Sequence, residues 1–382
     1  MMPWTSCVSD SDAIVDDPVT ASLVQTIESR VEVGERFTNL RLVGTGAFSV
    51  VFSADDLSTR RRAAVKFLRP LVPLYDDYRA RCFHREAEIL WSLRGQPDIV
   101  TCSTAKATFA FPATFGLGVQ AEIPVPYYAM ELGSGSVEGA IATERWDAEQ
   151  ILTSFGAMCR AVQRIHARDI VHRDLKPDNF IVMPRNEVKL ADFGTARRLG
   201  EVPLEDDYRI WPGDRRHTAP EMFALLHDED PGIAVLADIF SLGTILFELF
   251  TGTKLGLHLF DRTYGEELAG LMGEVRKAER RRILDQLLPS VVDAHPLPCI
   301  SDFGAPVPAA IAGRVDRLYR SMVNLDYRQR LREFPSIFHQ IERSLFVLRR
   351  EQAYYRLQEF RQRRREGKAA RVAAVAARGT DR

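Results

Sequence analysis

A chain of 382 residues, 46% hydrophobic and 27% charged, can bury one large core or two smaller ones, and its net charge of −1 gives no ground to infer a global polyelectrolyte partner. Its five cysteines are scattered, odd in number and never in C-x-x-C, and its eight histidines show no metal-ligand spacing. That argues against a disulfide framework and a zinc fold, and for a reducing compartment.

The charge is uneven: residues 1–36 carry roughly five excess negative charges and residues 342–382 roughly seven excess positive ones. The first 36 residues read as an acidic extension, partly disordered, with a short helix over 19–31. This start is too acidic for a secretion signal. From Phe37 come the β-type runs FTNLRLVG, SVVFSADD and RAAVKFLR. YRARCFHREAEILWSLRG then sets Phe83, Ala87 and Leu90 at helical spacing. Two more β-like runs, IVTCSTAKATFAF and VPYYAMEL, lead to GSGS (133–136), which reads as a hinge.

Beyond the hinge, AEQILTSFGAMCRAVQRIHAR predicts an amphipathic helix. A β-rich insert follows, IVHRDLKPDNFIV and EVKLADFG. From about residue 220 the pattern is helical, with loops expected near 228–233 and 286–312. IFSLGTILFELF (239–250) is shorter than the roughly 18 apolar residues of a membrane span and contains Glu248, so it reads as a buried helix. The expectation is a soluble, cytoplasmic α+β protein without a transmembrane segment. Its parts are a small β-rich lobe with one main helix (37–130), a hinge (131–136), a larger mostly helical lobe (137–345) and an Arg/Ala-rich helical tail (346–382).

Several stretches carry chemistry. In LVGTGAFSVVF, Gly44 and Gly46 let backbone N–H groups approach phosphate oxygens, although a lone G-x-G is more often a hairpin turn. In AAVKFL, Ala64 and Lys66 share a strand face, which leaves room for a flat ligand with its anionic tail on the ammonium. Glu86, twenty residues on, is either a solvated helix residue or the partner that aims Lys66. The segment HRDLKPDN crowds charge between two apolar flanks, and buried charge is costly unless paired or coordinated. There Asp174 can accept a proton from a hydroxyl, Lys176 can neutralise a phosphoryl group, and Asn179 offers a hard oxygen to Mg²⁺. Asp192, in DFG, offers a second.

With APE (219–221) added, these motifs in this order resemble the eukaryotic-type protein kinases, over about residues 37–345. The resemblance implies a bilobal kinase-like fold and transfer of the γ-phosphoryl of ATP, with Mg²⁺ or Mn²⁺, to a protein hydroxyl. It puts Gly44, Thr45, Gly46, Ala47, Phe48 and Ser49 over the ATP phosphates. Lys66, paired with Glu86, would hold the α- and β-phosphates. Val43, Val51, Ala64 and Ile181 would sandwich adenine. Met130 would precede the hinge, and the backbone of Glu131 and Gly133 would bond the adenine edge. Asp174 would be the catalytic base, while Asn179 and Asp192 would hold the metal ions. Asp238 would tie down the catalytic loop, and Glu221 would pair with Arg330.

Lys176 resembles the serine/threonine branch, as does Thr218, whose hydroxyl is expected on Asp174 and Lys176. A protein substrate with Ser or Thr is therefore implied. Two other functions share this fold: an ATP-binding pseudokinase scaffold and a kinase-fold enzyme acting on a small molecule. The filled catalytic positions argue against the first, and the retained APE with its Arg partner against the second.

Two departures stand out. Ser49 replaces the third glycine of the phosphate loop, and no Ser or Thr lies between Ala196 and His217. The resemblance sets Arg173 against an activation-loop phosphate. Glu205, Asp206 and Asp207 are either its substitutes or a solvated loop face. The basic tail has three readings: a solvated helix end, a surface for an anionic partner (nucleic acid or membrane), or a segment folded back on the acidic N-terminus.

Overall fold

In the computed structural model, residues 18–46, 48–70, 77–114, 120–144, 146–201, 213–224, 230–259, 275–305 and 307–379 are described. The β-type runs of the first third pair into one antiparallel six-stranded sheet. Its strands are β1 (Glu32–Val33), β2 (Phe37–Thr45), β3 (Ser49–Asp56), β4 (Arg61–Leu68), β5 (Cys102–Thr114) and β6 (Gln120–Glu131), in the order β1-β2-β3-β4-β6-β5. Strand alternation sends Ala63, Val65 and Phe67 of β4 into one core with Phe37, Phe52, Phe109 and Tyr127. Each of the Val and Phe side chains contributes about 1.5–3 kcal/mol by leaving water. Helix α2 (Asp77–Ser92) buries Phe83, Ala87 and Leu90 in a second core that includes Cys102 and Tyr128.

Strand β6 begins five residues earlier than its apolar run, at Gln120, and passes through Pro124 and Pro126. Proline cannot donate to a ladder, so it belongs where one side of a strand is unpaired. That is its position here: β4 pairs β6 only from Tyr127 to Glu131, and both prolines lie beyond, against β5 alone.

Ahead of the sheet, α1 (Pro18–Ser29) buries Leu23 and Ile27 in the same core as β4. The described part of the acidic extension is thus docked. Glu28 Oε1 accepts from Leu42 N at 3.0 Å, and Thr20 Oγ1 accepts from Arg69 Nε at 3.1 Å.

Past the hinge, β7 (Gly135–Ser136) joins a small sheet with β9 (Phe180–Val182) and β10 (Val188–Leu190), in the order β10-β9-β7. Ser136 caps α3 (Val137–Thr143) by accepting from Gly139 N. Helix α4 (Ala148–His166) is capped by Asp147 and buries Ile151, Phe155, Met158, Val162 and Ile165 at spacings of three and four. It packs on α6 (Pro231–Thr251), which starts from Asp230 and Pro231 and stops at Gly252 with φ 68°, a left-handed cap. By length and composition Gly232–Thr251 is apolar enough to cross a membrane, contrary to its expected shortness. Nearly all of it is buried inside the molecule, as a core helix is.

Strands β8 (Ile170–Val171), β9 (Phe180–Val182), β10 (Val188–Leu190) and β11 (Arg197–Arg198), with a 3₁₀ turn at Pro177–Asn179, build the insert between these helices. Short helices α5 (Pro220–Phe223) and α7 (Gly256–Leu259) flank α6.

The loop expected over 286–312 is shorter. Helix α8 (Lys277–Ala294) continues through Pro289, with Leu284 and Leu288 buried. Pro289 leaves the Asp285 carbonyl without its helical donor, and Arg328 Nη2 approaches that oxygen at 3.4 Å. Helix α9 (Ala309–Met322) is followed by α10 (Phe334–Gly379), 46 residues that run unbroken across the expected 345/346 boundary. Ile337, Ile341, Ser344 and Leu348 are buried as α10 crosses α4 and α9. Residues 353–369 are exposed throughout. The four described cysteines, Cys82, Cys102, Cys159 and Cys299, form no disulfide.

Candidate active site

Gly44 lies in β2 and Gly46 just beyond it, where Gly46 N donates to Ser49 O at 2.8 Å and closes the loop. Neither has a positive φ. A Cβ on Gly44 would meet nothing within 4 Å, and one on Gly46 only Ser49 at ordinary contact distance. The glycines therefore keep open space above the loop; they do not relieve strain. Phe48 leans on α2, its ring 4.8 Å from the Arg79 guanidinium. Ser49 is buried where β3 begins. Ala47 lies outside the described residues.

Lys66 points to the opposite face from Val65 and meets α2. Its Nζ lies 2.7 Å from Glu86 Oε1 and 3.2 Å from Asp192 Oδ1. Lys66 and Glu86 are both buried. Burial favours the neutral amine, but the charges of Asp192 and Glu86 outweigh it and hold the ammonium well above its ordinary range. Burial also raises the Glu86 carboxyl, against the pull of Lys66.

The HRDLKPDN segment is held by one buried aspartate. Asp238 of α6 accepts His172 N (2.8 Å) and His166 Nε2 (2.8 Å) on Oδ2, and Arg173 N (2.8 Å) on Oδ1. Burial opposes its charge, yet the His166 hydrogen bond and the nearby imidazoles and N–H groups keep its carboxyl below the usual range. Arg173 sits at φ 66°, a left-handed conformation that such a side chain adopts only at a cost. The turn aims Asp174 at the cleft. Asp174 Oδ2 lies 3.2 Å from Lys176 Nζ, and Oδ1 accepts Asp214 N at 2.7 Å. Burial raises the Asp174 carboxyl, with Lys176 and His172 working against it.

Asn179 spends its amide nitrogen on Asp174 O (2.6 Å) and Asp174 Oδ2 (3.2 Å), which leaves its Oδ1 as the acceptor. Asp192, at φ 54°, keeps half its side-chain surface open although it lies deep between the lobes. Burial opposes its charge, but Lys66 and Lys176 hold its carboxyl far below the ordinary range. A Cβ on Gly194 would come 3.4 Å from Asp192 Oδ1, so glycine leaves that carboxylate clear. Among the described residues no group of three or more His, Cys, Asp and Glu could hold a metal alone. An open, ionised carboxylate and an amide oxygen are donors that suit a divalent cation keeping water and phosphate as its other ligands.

At the hinge, Ala64 of β4 pairs with Met130 of β6. Val43 is 54% exposed; Val51 and Ile181 are half-buried. Glu131 N is already given to Thr101 O at 3.0 Å, so of its backbone only the carbonyl can meet an adenine edge. Its carboxylate, Oε2, accepts Thr101 N (3.0 Å) and pairs with Lys189 (2.7 Å), two anchors missing from the sequence reading. A Cβ on Gly133 would fall 2.1 Å from Ile181 Cγ2 and 2.7 Å from Val182 O. Only glycine lets the hinge lie against β9.

Thr218 requires a correction. Its hydroxyl donates to Asp214 O at 2.7 Å, and its hydrogen bond goes neither to Asp174 nor to Lys176. The residue that reaches Asp174 is Asp214, through its backbone, while its carboxylate holds Arg216. Gly213, at φ 91°, makes this approach: a Cβ there would stand 2.4 Å from Arg173 O. Behind the turn, His217 Nδ1 lies 2.9 Å from Thr244 Oγ1, and His217 Nε2 lies 3.4 Å from Glu248 Oε2. Burial pushes His217 down to about 4 and Glu248 up to about 7.

Glu221 and Arg330 form a two-pronged pair with no exposed side-chain surface. Arg330 also donates to Leu236 O and Asn324 O. The Arg173 guanidinium donates to Thr195 O, and Thr195 Oγ1 to His172 O at 2.9 Å. Glu205, Asp206, Asp207 and Tyr208 lie outside the described residues.

A glycine hairpin, a buried Lys–Glu pair and two carboxylates between a β-rich and a helical lobe are the arrangement of a kinase-type fold. The chain belongs to the protein kinase family: the model described as "Protein kinase domain" matches residues 37–341. It is 32% identical over 227 residues to the serine/threonine-protein kinase Pkn1 of Myxococcus xanthus, across 58% of this chain and 30% of that one. It is 29% identical over 226 residues to the serine/threonine-protein kinase PknA of Mycobacterium tuberculosis, across 59% and 48%. The match thus spans less than half the length of either relative.

Proposed function

We propose that the protein transfers the γ-phosphoryl of ATP to a serine or threonine hydroxyl of a protein. The observation that carries this reading is the convergence of Lys66, Glu86 and Asp192 within 3.2 Å, beside the Asp174–Lys176–Asn179 cluster. The names of the two relatives support the serine/threonine class.

In this reading Glu86 fixes the Lys66 ammonium, which binds the α- and β-phosphates under the open glycine loop. Asn179 Oδ1 and Asp192 would hold Mg²⁺ or Mn²⁺. When bound, the cation neutralises phosphate charge and orients the β- and γ-oxygens. Asp174 accepts a hydrogen bond from the substrate hydroxyl and takes its proton as that oxygen bonds to the γ-phosphorus and the β–γ bridge breaks. Lys176 offsets the charge on the moving phosphoryl group. Val43, Val51, Ala64, Met130 and Ile181 would enclose adenine, with the Glu131 carbonyl and Gly133 backbone at its edge. We assign the catalytic unit to 37–345 and place the protein in the cytoplasm, a setting that suits cysteines that form no disulfide.

The test is purified protein with Mg-ATP and mixed protein substrates, beside Asp174→Asn. Phosphoserine or phosphothreonine formed only by the unaltered protein is expected. Nucleotide binding without transfer would make it a scaffold, and ATP turnover on small alcohols alone would make it a small-molecule kinase.

A further inference from the structure

Beyond Leu348, helix α10 keeps its glutamates on one side, while its exposed basic residues spread over the rest, Arg356, Arg363 and Arg365 standing about 80–100° from the line that Phe346, Leu357 and Phe360 follow. Wound at about 100° per residue, Phe346, Leu357 and Phe360 fall within about 40° of a single line. Arg350, Arg361, Arg364 and Lys368 fall within about 60° of the same line. The three glutamates of this stretch, Glu351, Glu359 and Glu366, all lie at least about 140° away. Phe346, Leu357 and Phe360 are 66%, 45% and 62% exposed. The four basic residues are exposed, and none has an ion-pair partner among the described residues.

Up to Leu348 the helix is held by burial and by the Arg349–Glu149 pair at 2.8 Å. Beyond it, a helix exposed on every side gains nothing from packing and needs a partner to use its apolar line.

We propose that this face lies on the surface of a bilayer containing anionic lipid. The apolar line would sink into the headgroup boundary, and the arginines and Lys368 would sit among the phosphates and carboxylates. A second copy fits poorly, because pairing through this line would set four cations of one helix against four of the other. A nucleic acid would use the charges but leave Phe346, Leu357 and Phe360 in water. The described chain has no other helix end projecting in this way, and the proposal is independent of phosphoryl transfer.

The experiment is co-sedimentation of the full chain with vesicles of phosphatidylcholine alone, or with about 30 mol% phosphatidylserine. Binding is expected only to the anionic vesicles, falling as salt rises. Arg361→Glu/Arg364→Glu/Lys368→Glu should weaken it by at least about 100-fold, at roughly fivefold per charge lost. Leu357→Gln/Phe360→Gln should weaken it by at least about tenfold, with parent-like melting in both variants. Equal binding to neutral vesicles, or none to anionic ones, would overturn the proposal using the unaltered protein alone. Tighter binding to duplex DNA or RNA that survives Leu357→Gln/Phe360→Gln would reassign the face to nucleic acid. A dimer broken by that same pair of changes, without vesicle binding, would reassign it to a second copy.

Discussion

Asp238→Asn tests how the HRDLKPDN segment is held. The aspartate gives one oxygen to Arg173 N and the other to His172 N and His166. An asparagine has one oxygen, so its NH₂ must face at least one of those backbone donors. A buried donor left unmatched costs about 1–3 kcal/mol, and losing charge assistance in the bonds that remain adds about 1 kcal/mol. The expected loss is about 2–4 kcal/mol. For roughly 300 residues, with an unfolding entropy near 0.6 kcal/mol/K, that lowers Tm by about 3–6 °C. Function should suffer more, because the Arg173 N–H bond holds its φ of 66°. Released, that turn relaxes and Asp174 moves; a displacement of about 1 Å costs about 100-fold in rate. Calorimetry and initial rates at saturating ATP measure the two effects. A variant melting within about 1 °C of the parent with unchanged kcat would refute the reasoning.

Glu221→Ala strands Arg330 in the core and should cost about 3–5 kcal/mol, read as a lowered urea midpoint, while Glu221→Met/Arg330→Met should recover most of it. Gly133→Ala should weaken ATP binding and cost about 1–3 kcal/mol, because the new methyl meets a backbone carbonyl as well as Ile181; unchanged nucleotide affinity would contradict that. The His217–Glu248 pair should be silent between about pH 4.5 and 6.5. There the folded pair keeps one proton on Glu248, and the unfolded pair keeps one on the histidine. Glu248→Gln leaves the depressed histidine alone, so only the unfolded state gains a proton as pH falls from 6.5 towards 4. Stability should then drop relative to the parent in that window, and parallel urea midpoints would exclude the pair's compensation.

The site was legible where chemistry forces charge into apolar surroundings. Lys66 between Val65 and Phe67, and HRDLKPDN between IV and FIV, stand out because burial makes such residues expensive without partners. Backbone contacts left no such mark. Asp214 reaches Asp174 through an N–H across forty residues, which any side chain could accompany. Thr218 was misread for the same reason: its hydroxyl looked like the natural donor, while the turn at Gly213 had already brought a nearer one. Likewise, the run expected for β6 starts only after Pro124, and Pro289 falls in an expected loop, because proline removes a donor. Whether that donor was needed depends on a neighbour, β4 in one case and Arg328 in the other, that local pattern cannot supply.

The buried Arg69 ties the first helix to the glycine loop: it donates to Thr20 Oγ1 on one side and to Gly46 O on the other. Anyone trimming the protein to begin at residue 37, where the family match starts, would discard Thr20, Leu23, Ile27 and Glu28 together. Such a shortened chain would show a greasy scar on its sheet and a slack glycine loop. Its sluggishness would then be mistaken for a property of the native molecule.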